Sequence, residues 1–133
     1  MRIMLDTNIL VSAIFFPSTQ TRTLVSEIAR NHHFVLCDYV LKELRLVVKR
    51  KFPAKEASLE KFFSSLRFEL INTPEYGDYV DIPSTRDHKD TPILAAAIKN
   101  NVDVFITSDK DFLVLNIGRP QIMSITEFLY RFA

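Results

Sequence analysis

Little in this sequence breaks the chain or staples it. Only two of its 133 residues are glycine, one is cysteine and none is tryptophan. The lone cysteine, Cys37, excludes an intrachain disulfide framework and suits a reducing cytosol. No apolar stretch is long enough to span a bilayer, and Asp6 and Asn8 interrupt any N-terminal signal core. Neither sign of charge prevails. Seventeen Lys and Arg against sixteen Asp and Glu leave +1, so no global basic field announces nucleic acid, and only a local basic patch stays open. Repeats and low-complexity segments are missing as well.

What is present is ordinary for a soluble globular chain: 47% apolar and 25% charged residues. The length predicts one cytoplasmic domain over residues 1–133, large enough for a real core. Short strand-like runs alternate with longer helix-like ones. Strands are expected at Arg2–Leu5, Phe34–Cys37, Phe68–Asn72, Val104–Thr107 and in QIMSI. Helices are expected over Ile9–Phe15, from Ser18 or Thr19 to Asn31, after an Asp38 N-cap to Pro53, in AKEASLEKFFSSL, from Pro92, in SDKDFLVL and in TEFLYRF. TPEYGDYVDIPSTRDHK is the least regular stretch and reads as a surface loop. This alternation implies βαβ units and a mostly parallel sheet in an α/β fold, covered on both faces.

Open parallel sheets bind ligands at the carboxyl ends of their strands. Asp6 follows the first strand directly. Glu43 lies in the helix after the second, Asp90 starts the helix after the third, and Asp109 follows the fourth by two residues. Glu43 shares a helix face with Val40, Leu44 and Val47, so it is expected to point inward. Two such charges at 4 Å repel by about 1 kcal/mol in water and about 4 at an effective dielectric near 20. A divalent cation relieves that repulsion, and hard oxygen ligands favour Mg²⁺ or Mn²⁺. His32, His33 and His88 form no His/Cys pattern for zinc. Asn8 is expected to orient a neighbouring carboxylate or a water, with Thr107 and Asp111 supporting the acids.

Each acid also has a plain structural role open to it. Asp90 and Asp109 can cap their helices, Glu43 can pair with a cation, and Asp38 is assigned to capping alone. Asp6 is harder to place that way, because a strand-end carboxylate among apolar residues needs a partner. It is the joint placement of four acids at one edge that favours a metal site.

With these residues in hand, the sequence resembles the PIN-domain family, and more closely its bacterial members that act as toxin components of toxin–antitoxin pairs. The resemblance is carried by LDTNILVSAI from Leu5, VLKEL from Val40, RDHKDTPILAAAI from Arg86 and FITSDKDFL from Phe105. It implies a parallel sheet in an α/β/α sandwich. It also implies Mg²⁺- or Mn²⁺-dependent hydrolysis of RNA, with Asp6, Glu43, Asp90 and Asp109 as the family's acids. Thr91 stands where many relatives carry a further acid or amide, and Ser108 where glycine is common.

The expected activity is therefore a metal-dependent endoribonuclease, a toxin component with a small antitoxin as partner and room for a homodimer. Arg86, Lys110 and Lys42 are the cations expected beside the substrate, and single-stranded RNA is expected over duplex. An Asp-based phosphatase would show a second Asp where Asn8 stands. A metal-stabilised module that binds RNA or protein without turnover is the non-enzymatic alternative.

Overall fold

The structure is a computed structural model and describes residues 1–74 and 91–133. Five strands form one sheet: β1 (Arg2–Leu5), β2 (His33–Cys37), β3 (Phe68–Ile71), β4 (Val104–Ile106) and β5 (Gln121–Met123). All neighbours pair in parallel, in the order β3-β2-β1-β4-β5. Helices α1 (Thr7–Phe15), α2 (Thr19–Asn31), α3 (Asp38–Lys51), α4 (Glu56–Ser65), α5 (Thr91–Lys99), α6 (Lys110–Leu113) and α7 (Ile125–Phe132) flank it.

The central strands are apolar throughout because both of their faces are covered. Ile3, Met4 and Leu5 of β1 and Val104, Phe105 and Ile106 of β4 are all buried. β3 lies at the edge, and there Glu69 and Leu70 are exposed. Leu24, Ile28, Val40, Leu44, Val48 and Phe128 bring the helices onto the same core. Burying such side chains stabilises by about 1.5–3 kcal/mol each.

Helix ends follow local chemistry. Ser18 caps α2 in a reciprocal box with Thr21, whose N–H reaches Ser18 Oγ at 3.1 Å. Ser124 caps α7 through the Glu127 N–H. Pro53 opens a short 3₁₀ turn just past α3.

Two expectations change. α1 begins at Thr7, not Ile9, so Thr7 and Asn8 belong to its first turn. Asp38 is not an N-cap: it is the first residue of α3, after a Cys37 cap position with no side-chain bond. Its Oδ1 instead accepts from its neighbour Tyr39 N–H at 2.9 Å, from Thr73 N–H at 2.8 Å and from the Thr73 hydroxyl. The carboxylate thus ties the start of α3 to the chain leaving β3. Burial pushes its pKa up, but the bonds from Thr73 and Tyr39 and the nearby Lys42 charge outweigh that and hold it below the usual range.

Candidate active site

Asp6 is the hinge between β1 and α1. Its backbone N–H donates to Ile106 O at 2.9 Å, extending the β1–β4 ladder by one step. Its side chain is thereby set at the carboxyl edge of the sheet, and the residue is only 3% exposed. Thr107, one step past β4 and fully buried, donates its hydroxyl to Asp6 Oδ2 at 2.7 Å. The same hydroxyl accepts from Asp109 N–H at 3.0 Å. One threonine therefore joins the two acid-bearing segments.

Asp109 does cap α6, as its plain structural role requires: its Oδ1 accepts from Asp111 N–H at 2.9 Å. Glu43 is half-buried on α3, between the buried Val40 and Leu44. Burial is the main cause that raises the Asp6 pKa above the ordinary carboxylate value. The Thr107 hydroxyl and Thr7 N–H pull it back, and the charges of Asp109 and Glu43 push it further up. So three of the four expected acids, Asp6, Glu43 and Asp109, share one electrostatic neighbourhood.

The other expected residues are placed as follows. Asn8 is exposed on α1, and the orienting bond on Asp6 comes from Thr107. Lys42 and Lys110 are exposed near Glu43 and Asp109, and Asp111 is half-buried. Asp90 and Arg86 lie outside the described residues, as does His88. Cys37 is buried at the end of β2, where burial pushes its thiol pKa up, as expected of a small core residue.

Sequence reasoning passed over Thr7. Its hydroxyl oxygen is buried beside Asp6 with no hydrogen-bond partner among the described residues, and the hydroxyl of Thr91 is in the same state at the start of α5. An unpartnered buried hydroxyl costs about 1–3 kcal/mol. A threonine next to a strand-end acid was the available signal. The Thr7 hydroxyl and the carboxylates of Asp6, Glu43 and Asp109 are hard oxygens, the chemistry that suits Mg²⁺ or Mn²⁺. Among the described residues no group of three His, Cys, Asp or Glu stands close enough to hold an ion, and the expected set includes Asp90 beyond them.

A parallel five-stranded sheet flanked by helices, with acids at its carboxyl edge, defines an α/β protein of PIN-like fold. Residues 2–111 match the family model described as PIN domain, and the chain belongs to the PIN-domain family. Among solved structures it is similar to VapBC2 from Rickettsia felis bound to a DNA fragment from their promoter. That match has 25% identity and a TM-score of 0.72, covering 92% of this chain and 97% of the other. DNA-bound VapBC from Salmonella typhimurium matches at 19% identity and a TM-score of 0.69, over 94% and 98% of the two chains. PAE2754 from Pyrobaculum aerophilum matches at 13% identity and a TM-score of 0.62, over 99% and 89%. These last two likenesses are of fold alone. No curated protein is significantly similar in sequence.

Proposed function

We propose that this chain is a single-domain, metal-dependent endoribonuclease over residues 1–133, working in the cytoplasm as the toxin component of a toxin–antitoxin pair. The observation that carries the proposal is Asp6: a buried carboxylate at the centre of the sheet edge, raised in pKa and facing the fields of Asp109 and Glu43. Family membership and the likeness to VapBC structures support it.

In this reading Asp6, Glu43, Asp90 and Asp109 hold Mg²⁺ or Mn²⁺, and Asn8, Thr107 and Asp111 support them. When bound, the cation acidifies a water and offsets charge on the phosphodiester. The chain's own contribution is orientation. The Thr107 hydroxyl holds Asp6 through Oδ2 and steadies the Asp109 backbone. The α6 cap fixes Asp109 through Oδ1. Lys42, Lys110 and Arg86 supply positive charge beside the acids for a single-stranded RNA. Exposed Leu46, Phe16 and Tyr130 offer apolar surface for a small antitoxin or a second copy.

The test pairs turnover with stability. Native protein is expected to cleave single-stranded RNA with Mg²⁺ or Mn²⁺ and to stop with chelator. The ion is expected to raise the melting temperature, since a ligand at a hundred times its Kd stabilises the native state by about 2.7 kcal/mol. A shift without cleavage would select the non-catalytic binding module, and neither effect would remove the site altogether.

A further inference from the structure

At the opposite, amino-terminal edge of the sheet a groove of about 760 Å³ opens between the end of α2, the segment before β3 and the start of β1. Arg2, Arg30, His32, His33 and Arg67 line it, with Glu69 as the one carboxylate among the lining residues. That carboxylate is already neutralised: Arg2 Nε donates to Oε1 at 3.0 Å and Nη2 to Oε2 at 2.8 Å. Arg2 also donates through Nη1 to the carbonyls of Asn100 and Asn101, so four of its five side-chain N–H groups are engaged within the fold. His32 is turned inward, edge-on to Phe128 at a ring separation of 5.5 Å.

What faces outward is positive. Arg30 and Arg67 are exposed, neither has an ion pair among the described residues, and His33 is exposed as well. Arg30 does suit the carboxyl end of α2, where a cation meets the helix dipole. That role calls for no acid opposite, and it leaves Arg67 unaccounted for. Phe68 adds a half-buried ring to the wall, braced edge-on by Phe63 at 5.8 Å. A cationic groove with an aromatic wall is the combination that holds single-stranded nucleic acid, by phosphate contact and base stacking.

We propose that this groove binds the phosphate backbone of single-stranded RNA, giving the substrate a foothold at the edge remote from the acids. The choice of RNA rests on the nuclease reading above; the preference for a polyanion rests on the groove's own side chains. β1, which runs from one edge to the other, is four residues long, so about 13 Å at 3.3 Å per residue is the least distance an RNA strand on the surface has to cover. The acid edge repels phosphate, and a net charge of +1 supplies no compensating field. The groove offers cations away from that repulsion.

The experiment measures binding without cleavage. Asp6→Asn protein is titrated with labelled single-stranded oligouridylate across salt concentrations, against the same protein carrying Arg30→Ala and Arg67→Ala. The arginine changes are expected to weaken binding at least tenfold at low salt and to flatten the log–log salt slope by about 1.4, at about 0.7 per lost phosphate contact. Both arginines are exposed, and Arg30→Lys with Arg67→Lys, expected to keep the slope, guards against a folding defect. An equal loss from Lys49→Ala with Arg50→Ala on α3 would reduce the effect to net charge and overturn the groove. Displacement of the RNA by millimolar inorganic phosphate, or equal binding of oligoglutamate, would overturn it in favour of a small-anion or acidic-peptide site. If the native protein fails to cleave RNA while the arginine dependence holds, the nuclease reading falls and the groove stands. Cleavage without arginine-dependent binding removes the groove alone.

Discussion

Asp6 and Asp103 sit at opposite ends of neighbouring strands and have opposite fates. Asp103 precedes β4 at the amino edge. Arg2 N–H reaches its Oδ2 at 2.8 Å and Arg119 its Oδ1 at 2.6 Å. The backbone bond from Arg2 is the main cause that lowers its pKa; burial works against this, and Arg119 adds to the lowering. Asp6 has a raised pKa, a single side-chain donor and like charges nearby. One carboxylate is ionised to the benefit of the fold, the other at its expense. A fold holds the second kind only where other contacts outweigh it, and on the proposed reading that unfavourable charge is kept for the chemistry at this edge.

The strongest way to break this contrast is Asp6→Asn. RNA cleavage is expected to fall by several orders of magnitude, checked by single-turnover assay, because no other side chain takes that place. Stability is expected to move the other way. A carboxyl whose native pKa is raised binds its proton more tightly folded than unfolded, so metal-free native protein loses stability as pH rises from about 4 through the raised value. Urea melts across that range are expected to show the loss in native protein and not in Asp6→Asn. Asp103 works in the opposite sense: its contribution is present above about pH 4 and is lost as pH falls through its lowered value. A native slope unchanged by Asp6→Asn would end the comparison.

Thr107→Val sharpens it. The change keeps the shape but leaves Asp6 Oδ2 and Asp109 N–H without their partner, at an expected cost of about 1–3 kcal/mol. Cleavage is expected to fall with it, and Thr107→Ser is expected to restore most of both in paired melts and assays. The smallest expected effect is Asp38→Ala. Removing three hydrogen bonds at a half-exposed site is expected to cost about 1–2 kcal/mol and to spare the rate. Thermal denaturation and an RNA assay check the two halves.

Much of this was legible in the sequence. β1 has its expected bounds and ends where its apolar run does, because a central parallel strand buried on both faces is apolar throughout its buried length. β3 and β4 end one residue early, β5 ends two early and α6 is shorter than expected, all at the carboxyl edge, where the ladder gives way to turns and helix starts. The α1 start was misjudged because Thr7 and Asn8 look like a break, whereas helix N-termini accept such residues readily. Asp38 misled for a related reason: an acid before a helical run usually caps it, and nothing local announces Thr73, 35 positions on. The neighbourhood of Asp6, Glu43 and Asp109 was expected from their places after parallel strands and from the helix phase of Glu43. The amino-edge groove did not, because its arginines and histidines come from three separate segments, and each by itself looks like a solvated strand or helix end.

The Asp6–Thr107 bond spans 101 positions, which sets an order of events during synthesis. In a chain made from its amino end, Asp6 is added before β4 and must wait for it before its partner exists. Until Thr107 and Asp109 have been added, the central strand lacks one neighbour and the acid lacks its donor and one of its two companion charges. Domains fold as units once their sequence is complete. On the proposed reading, a chain terminated before Thr107 and Asp109 cannot assemble the acid edge, and it is harmless to the cell's own RNA.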